Sequence, residues 1–280
     1  MNTHLKTLSP HIRSRDSVAK RYWGLTLASV PVFVAVILGG QAGALRVLLF
    51  SIISAVAFDF LGAKILFKKE RVNNGEAVLS ATLLTLLLPR NCPFEIAVFG
   101  IFLAVFVVKE LFGGTGSYLF HPVLAARIFL QMSFPGFFEN SGMILEEKSA
   151  LWILGGLLVS GVAVISQKNN REIPLFYIMI SLLCVLLFHS GMESLTVLNW
   201  IFFTAFFLLG DSVAMPLTRK GTRIFVLGAA LLNFFFEAKG FSMAAAGYAI
   251  LLMNALTPWL DVMMKPAAYR AKIHLKATYP

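Results

Sequence analysis

Ten apolar runs separated by short polar breaks dominate the chain, and they leave few folds open to it. They lie at about residues 22–39, 45–67, 75–89, 94–112, 119–135, 149–166, 173–189, 195–210, 221–238 and 240–260. Most approach the roughly 20 residues that a helix needs to cross the hydrocarbon core of a bilayer. In lipid the backbone must satisfy its own hydrogen bonds, so continuous apolar runs of this length read as helices. The composition agrees: 58% of the 280 residues are hydrophobic and 14% charged, against about 45–50% apolar in a soluble domain. An all-α polytopic membrane protein of about ten transmembrane helices is expected.

The net charge of +10 raises the question of nucleic acid, and the placement of the charge answers it. Ten crossings make the loops alternate sides, and with the N-terminus inside, nineteen of the 24 Lys and Arg fall on inner segments. The outer loops hold only Arg46, Arg90, Lys148 and Lys239. The positive-inside rule therefore places both termini in the cytoplasm and accounts for the charge through the membrane. Lys6, Arg13, Arg15, Lys20 and Arg21 precede the first run without a small-residue cleavage site after it, so no cleaved signal peptide is expected and the first run stays as a span.

The stretch "FFENSGMILEEKS" (137–149) interrupts the apolar runs near the middle of the chain. It divides them into two sets of five, and an odd number per set forces opposite orientations. Pro89, Gly100 and Pro135 recur in order as Pro216, Gly228 and Pro258, a weak internal echo. The expected organisation is a cytoplasmic segment 1–21, a first five-helix repeat 22–135, an outer acidic linker 136–148, an inverted second repeat 149–260 and a basic cytoplasmic tail 261–280. Repeats of this kind place their sites near the midplane, at interrupted helices.

"KELFGGTGSYLFHPVLAAR" (109–127) is the inner turn between the fourth and fifth runs. Gly113, Gly114 and Gly116 permit positive φ, and Pro122 suits the first turn of the following helix. Two readings stay open: free amides cradling an anion, or a tight re-entrant turn whose glycines serve helix packing. No Lys-Ser/Thr pair follows the glycines, so the turn is not a nucleoside triphosphate loop. Arg127 lies too deep to snorkel and wants a partner. Asp59, a bound phosphate or a flavin edge could supply one. His121 reads as a structural histidine. In the second half Asp211, Asn233, Asn254 and Asp261 repeat the theme of polar groups at or near spans. Cys92 and Cys184 have no CxxC or Cys/His spacing, so neither a metal site nor a disulfide framework is indicated. No nucleophile–base pair or catalytic carboxylate pair is present, and no catalytic residue is assigned.

Several motifs, in order, resemble the D subunit of the Rnf electron-transport complex, which is related to the B subunit of the sodium-translocating NADH:quinone reductase. They are "LSPHIRSRDSV" (8–18), "NNGEAVLSATLLTLLLP" (73–89), "KELFGGTGSYLFHPVLAARIFLQMSFP" (109–135), "EKSALWILGG" (147–156), "GDSVAMPLTRKGTRIF" (210–225) and "YAILLMNALTPWLD" (248–261). The chain departs from the family pattern at His121 and Val123, where Asn and Ala are usual, and at Asn74, Glu76, Ser80 and Ala81. The resemblance implies an inner-membrane subunit of an ion-pumping redox complex, working with flavoprotein and iron–sulfur subunits to couple ferredoxin and NAD redox chemistry to Na⁺ or H⁺ movement. It also implies an FMN joined through its phosphate to a threonine after the fifth span. Here no threonine occurs between Thr115 and Thr196, and Ser141-Gly142 is followed by Met143 and Ile144. Any FMN or riboflavin is therefore expected to be held without a covalent bond, with Gly113, Gly114, Gly116, Phe120, His121 and Arg127 as the candidate contacts. Asp59, Arg127 and Asp211 are the candidate ion path. Five-plus-five folds also resemble ammonium and urea transporters, which leaves a solute channel as the alternative, and a redox-silent anchor for flavoprotein partners as another.

Overall fold

The structure, a computed structural model, describes residues 17–67, 75–140, 144–145, 150–166, 171–188, 195–209, 213–241 and 244–264. Every regular element among them is helical. Helix α1 (Val18–Leu38) starts at Ser17, whose side chain accepts from the Lys20 amide. This is the usual way a serine satisfies a first-turn donor. Then follow α2 (Gly43–Gly62), α3 (Glu76–Leu86), α4 (Phe94–Ile101), α5 (Pro122–Ser133) and the short α6 (Pro135–Asn140). After the linker come α7 (Ala150–Ser166), α8 (Glu172–Phe188), α9 (Leu195–Phe203), α10 (Arg219–Phe236) and α11 (Ala245–Met263). Four of these run on in wider, i→i+5 turns: α2 to Phe67, α4 to Glu110, α9 to Leu208 and α10 to Phe241, the last kinked at Gly240, whose φ is 86°.

Among the described residues three helices are long and apolar enough to cross a membrane: Val18–Leu38, Gly43–Leu66 and Arg219–Phe241. Glu76–Leu86, Ala150–Ser166, Glu172–Leu187 and Leu195–Leu208 are apolar but shorter. The expected third and fifth spans, 75–89 and 119–135, shrink most. Helix α3 has 11 residues and α5 has 12, about 16–18 Å at 1.5 Å per residue, or roughly half the hydrocarbon thickness. Proline explains the shortening. Pro89 and Pro93 follow α3, Pro122 forces the start of α5, and Pro135 follows its end; proline cannot continue a helix through its interior.

Helix α3 is buried almost throughout, enclosed by α1, α2, α4 and α5. The two halves meet where α1 packs on α7 and α5 on α11. Large apolar side chains such as Leu27, Ile53, Leu151, Val162, Leu186 and Trp259 are exposed along the outside of the bundle, where lipid is the matching solvent.

Candidate functional site

Four ionisable side chains from three elements meet at the start of α3. Asp59 sits near the end of α2, Glu76 opens α3, and Lys109 and Glu110 end the continuation of α4. All are buried, with relative exposures of 6% for Asp59, 3% for Glu76, 2% for Lys109 and 4% for Glu110. The Lys109 ammonium donates to Asp59 Oδ1. It also lies 3.5 Å from Glu76 Oε2 and 3.4 Å from Glu110 Oε1. Helix α2 admits this neighbour because it carries Gly62 there; a Cβ on Gly62 would meet Glu110 Cγ at 2.6 Å. Asp59, Glu76 and Glu110 thus all lie within ion-pair reach of the Lys109 ammonium, in a poorly solvated place.

The glycine turn closes onto this cluster. Gly113, Gly114 and Gly116 take φ of 113°, 81° and 90°, the left-handed region that a side chain resists. Three of the turn's amides point inward: Gly113 N–H donates to the Glu110 carbonyl at 3.1 Å, Gly114 N–H to that of Lys109 at 3.0 Å, and Ser117 N–H to that of Gly114 at 3.1 Å. They cap the preceding helix in the manner of a Schellman turn. The Thr115 hydroxyl donates to Glu76 Oε2. Of the two readings of this turn, the geometry favours the packing turn: the Gly113 and Gly114 amides are spent on the helix end and the Thr115 hydroxyl on a carboxylate. Phe120 is half-buried, and His121 is buried at the N-terminal end of α5.

Arg127 does not pair with Asp59, which belongs to Lys109. Its Nε donates to the Leu87 carbonyl at 2.7 Å and its Nη1 to Gln131 Oε1 at 2.8 Å. Its guanidinium lies over the Phe138 ring, 4.2 Å from the centroid. Leu87 ends α3, where the aligned carbonyls leave partial negative charge. The arginine is therefore the cap of a helix that stops inside the bundle, which is how a charge at that depth is tolerated. It lies about one α3 length, roughly 16 Å, from the Glu76 end of the cluster. The expected site residues thus fall in two places, the turn with Phe120 and His121 at one, Arg127 at the other. Asp211 lies outside the described residues.

Glu76, Lys109 and Glu110 are not among the candidates that the sequence nominates. The charge pattern counts Lys109 as a loop residue on the positive inner side, although it is less exposed than Arg127. A signal for it exists: a Lys-Glu pair ending an apolar run, one turn before three glycines. Among the described residues no group of three or more His, Cys, Asp or Glu is arranged to hold a metal ion.

Buried ion pairs and a capped internal helix end, inside a bundle whose longest helices suit a bilayer, define a polytopic membrane protein with a charged interior. The chain belongs to the NQR2, RnfD, RnfE family, whose pattern fits it twice, over residues 5–140 and 136–270. It is similar to the D subunit of the Na⁺-translocating ferredoxin:NAD⁺ oxidoreductase complex of Acetobacterium woodii, 29% identical over 93% of this chain and 93% of the relative. It is also similar to the D subunit of the proton-translocating ferredoxin:NAD⁺ oxidoreductase complex of Clostridium ljungdahlii, 27% identical over 93% and 94%. The D subunit of the ion-translocating oxidoreductase complex of Methanosarcina acetivorans is 28% identical over 92% and 94%.

Proposed function

We propose that this chain is the D-type membrane subunit of an Rnf-type complex that couples electron transfer between ferredoxin and NAD⁺ to movement of Na⁺ or H⁺. The observation that carries this is the twofold fit of the family pattern across nearly the whole chain, joined to relatives of that name matching end to end. In this reading the chain crosses the inner membrane ten times, with both termini in the cytoplasm. Its halves are inverted repeats, α1–α5 and α7–α11. The packing of α1 on α7 and of α5 on α11 supports that reading, because each pairs corresponding members of the two sets. The other subunits include a flavoprotein and iron–sulfur proteins.

For the ion path, Asp59 is held by Lys109, and Arg127 caps α3 beyond it; Asp211 completes the proposed set. Intramembrane ionisable groups are functional by default. For a flavin, the turn at 113–116 with Phe120 and His121 offers a place for a ring system, and Arg127 has two of its nitrogens engaged elsewhere. With no threonine between Thr115 and Thr196, FMN or riboflavin would be held without a covalent bond.

The test is copurification and coupled transport. A tagged chain is expected to bring down flavoprotein and iron–sulfur subunits, and ferredoxin-driven NAD⁺ reduction in inverted vesicles is expected to drive Na⁺ or H⁺ uptake only when the chain is present. Solute flux through the chain alone in liposomes, with no partners recovered, would establish the channel alternative instead. In-gel flavin fluorescence comigrating with the denatured chain would overturn the non-covalent assignment.

A further inference from the structure

Basic side chains gather where α8 and α10 begin, and none of the roles above uses them. The two helices pack side by side, and an ion pair shows which ends meet: Arg223 Nη2 on α10 donates to Glu172 Oε2 on α8 at 3.2 Å. Glu172 opens α8, with Arg171 just before it. Arg219 and Lys220 open α10 and stand four and three residues before Arg223, so they share its side of the helix. All four basic side chains are exposed. Two carboxylates stand by them: Glu172 in the ion pair, and Asp261 near the end of α11, whose Oδ1 accepts from the Leu217 N–H at 2.9 Å. Positive charge remains in excess among these residues.

The turn that carries this charge is well held. The Thr218 hydroxyl accepts from Gly221 N–H at 3.1 Å, and the Thr222 hydroxyl donates to the Pro216 carbonyl at 2.9 Å. Beyond the charges both helix faces turn apolar. On α8, Leu175 and Met179 stand three and seven residues after Glu172 and are 52% and 58% exposed. On α10, Leu227 and Leu231 stand four and eight residues after Arg223 and are 41% and 49% exposed. These spacings keep each pair on the face of its helix that carries the ion pair. Two exposed apolar stripes thus start from one charged point and run along adjoining helices.

We propose that the seam between α8 and α10 binds an anionic phospholipid, with its phosphate among Arg171, Arg219, Lys220 and Arg223 and its acyl chains along the two stripes. The planar guanidinium fork suits phosphate oxygens, and basic clusters between membrane helices take anionic headgroups. A soluble anion or an acidic protein would match the charges alone. A lipid also accounts for the apolar stripes that continue from them. The site needs the chain to lie in a membrane and rests on neither the ion nor the redox partners of the proposed function, so the two stand or fall separately.

The test is lipid binding and thermal unfolding of the full chain in neutral detergent micelles doped with phosphatidylglycerol or phosphatidylcholine. Phosphatidylglycerol is expected to bind saturably, in preference to phosphatidylcholine, and to raise the unfolding temperature; its binding should weaken from low to physiological ionic strength. Arg219→Gln and Lys220→Gln are each expected to weaken it about fivefold, the loss of one basic charge near a lipid surface. Both residues are exposed, so unfolding without added lipid should stay as in the parent. Arg46→Gln, at an exposed arginine near the start of α2, should leave binding unchanged. An equal loss in Arg46→Gln would reduce the effect to net charge and overturn the site, as would equal binding of the two lipids. Protection by inorganic phosphate to the same degree would mean an anion site without acyl contacts and overturn the lipid as its occupant. Loss of copurifying subunits from the double variant, with phosphatidylglycerol binding intact, would assign the patch to an acidic protein partner and overturn it likewise.

Discussion

Lys109 holds together residues from α2, α3 and the end of α4, and its removal takes a shared counter-charge from three buried carboxylates. Breaking a buried pair from one side costs about 3–5 kcal/mol, so Lys109→Met is expected to lower stability by that order in thermal unfolding of the purified protein. Asp59→Asn keeps the ammonium between Glu76 and Glu110 and should cost distinctly less. Equal losses from the two changes would show that Asp59, not Lys109, organises the cluster. Arg127 makes a different prediction, because its contacts are a carbonyl, an amide oxygen and a ring. A lysine cannot reproduce that planar fork. Arg127→Lys is therefore expected to lose a good part of what Arg127→Met loses, about 1–3 kcal/mol for the unsatisfied Leu87 acceptor. The depth of Arg127 is legible in the sequence, yet its partner is not. A backbone carbonyl at a helix end and the Phe138 ring carry no charge signal, so a search for a carboxylate points to Asp59. Lys109 is misplaced for the converse reason: in a Lys-Glu pair one turn before three glycines it is counted with the loop, and only the approach of α2 through Gly62 shows it to be interior.

At the scale of elements, periodicity gives the helices but not where they stop. The run 75–89 is apolar beyond the point where α3 ends, since hydropathy is blind to the turn that Pro89 and Pro93 impose. The packing of α7 on α1 passes through a small residue that no hydropathy measure picks out. On α7 a Cβ at Gly156 would stand 2.7 Å from the Pro31 carbonyl oxygen and 2.9 Å from Ala35 Cβ on α1, whereas Gly155 beside it faces open space. Close backbone approach through glycine is how helices associate in lipid, where no hydrophobic drive joins them. Gly156→Ala should force α1 and α7 apart and cost about 1–3 kcal/mol, as overpacking does. Gly155→Ala should be neutral or slightly stabilising through helix propensity, up to about 1 kcal/mol. Thermal unfolding of the pair in one detergent decides it, and similar losses at both positions would mean that the interface does not rest on Gly156.

For the whole molecule, the charge distribution makes a claim about sidedness that can be read with a single thiol. Both native cysteines are buried, and at the break after α3 burial pushes the Cys92 thiol up to about 12, so it stays protonated and unreactive at neutral pH. Leu217, just before α10, is 92% exposed, with Arg219, Lys220 and Arg223 following it. Asn91, in the break between α3 and α4, is exposed too. The positive-inside assignment puts these positions on opposite sides of the membrane. A membrane-impermeant maleimide should label Leu217→Cys in inverted vesicles and not in intact spheroplasts, and Asn91→Cys the other way round. Labelling of both from one side would break the ten-crossing topology at α3, since a half-length helix can also turn back and return its ends to the same face. Burial of α3 on nearly all sides makes its direction decide between a crossing and a re-entrant hairpin, and with it the parity on which the proposed inversion of the second half depends.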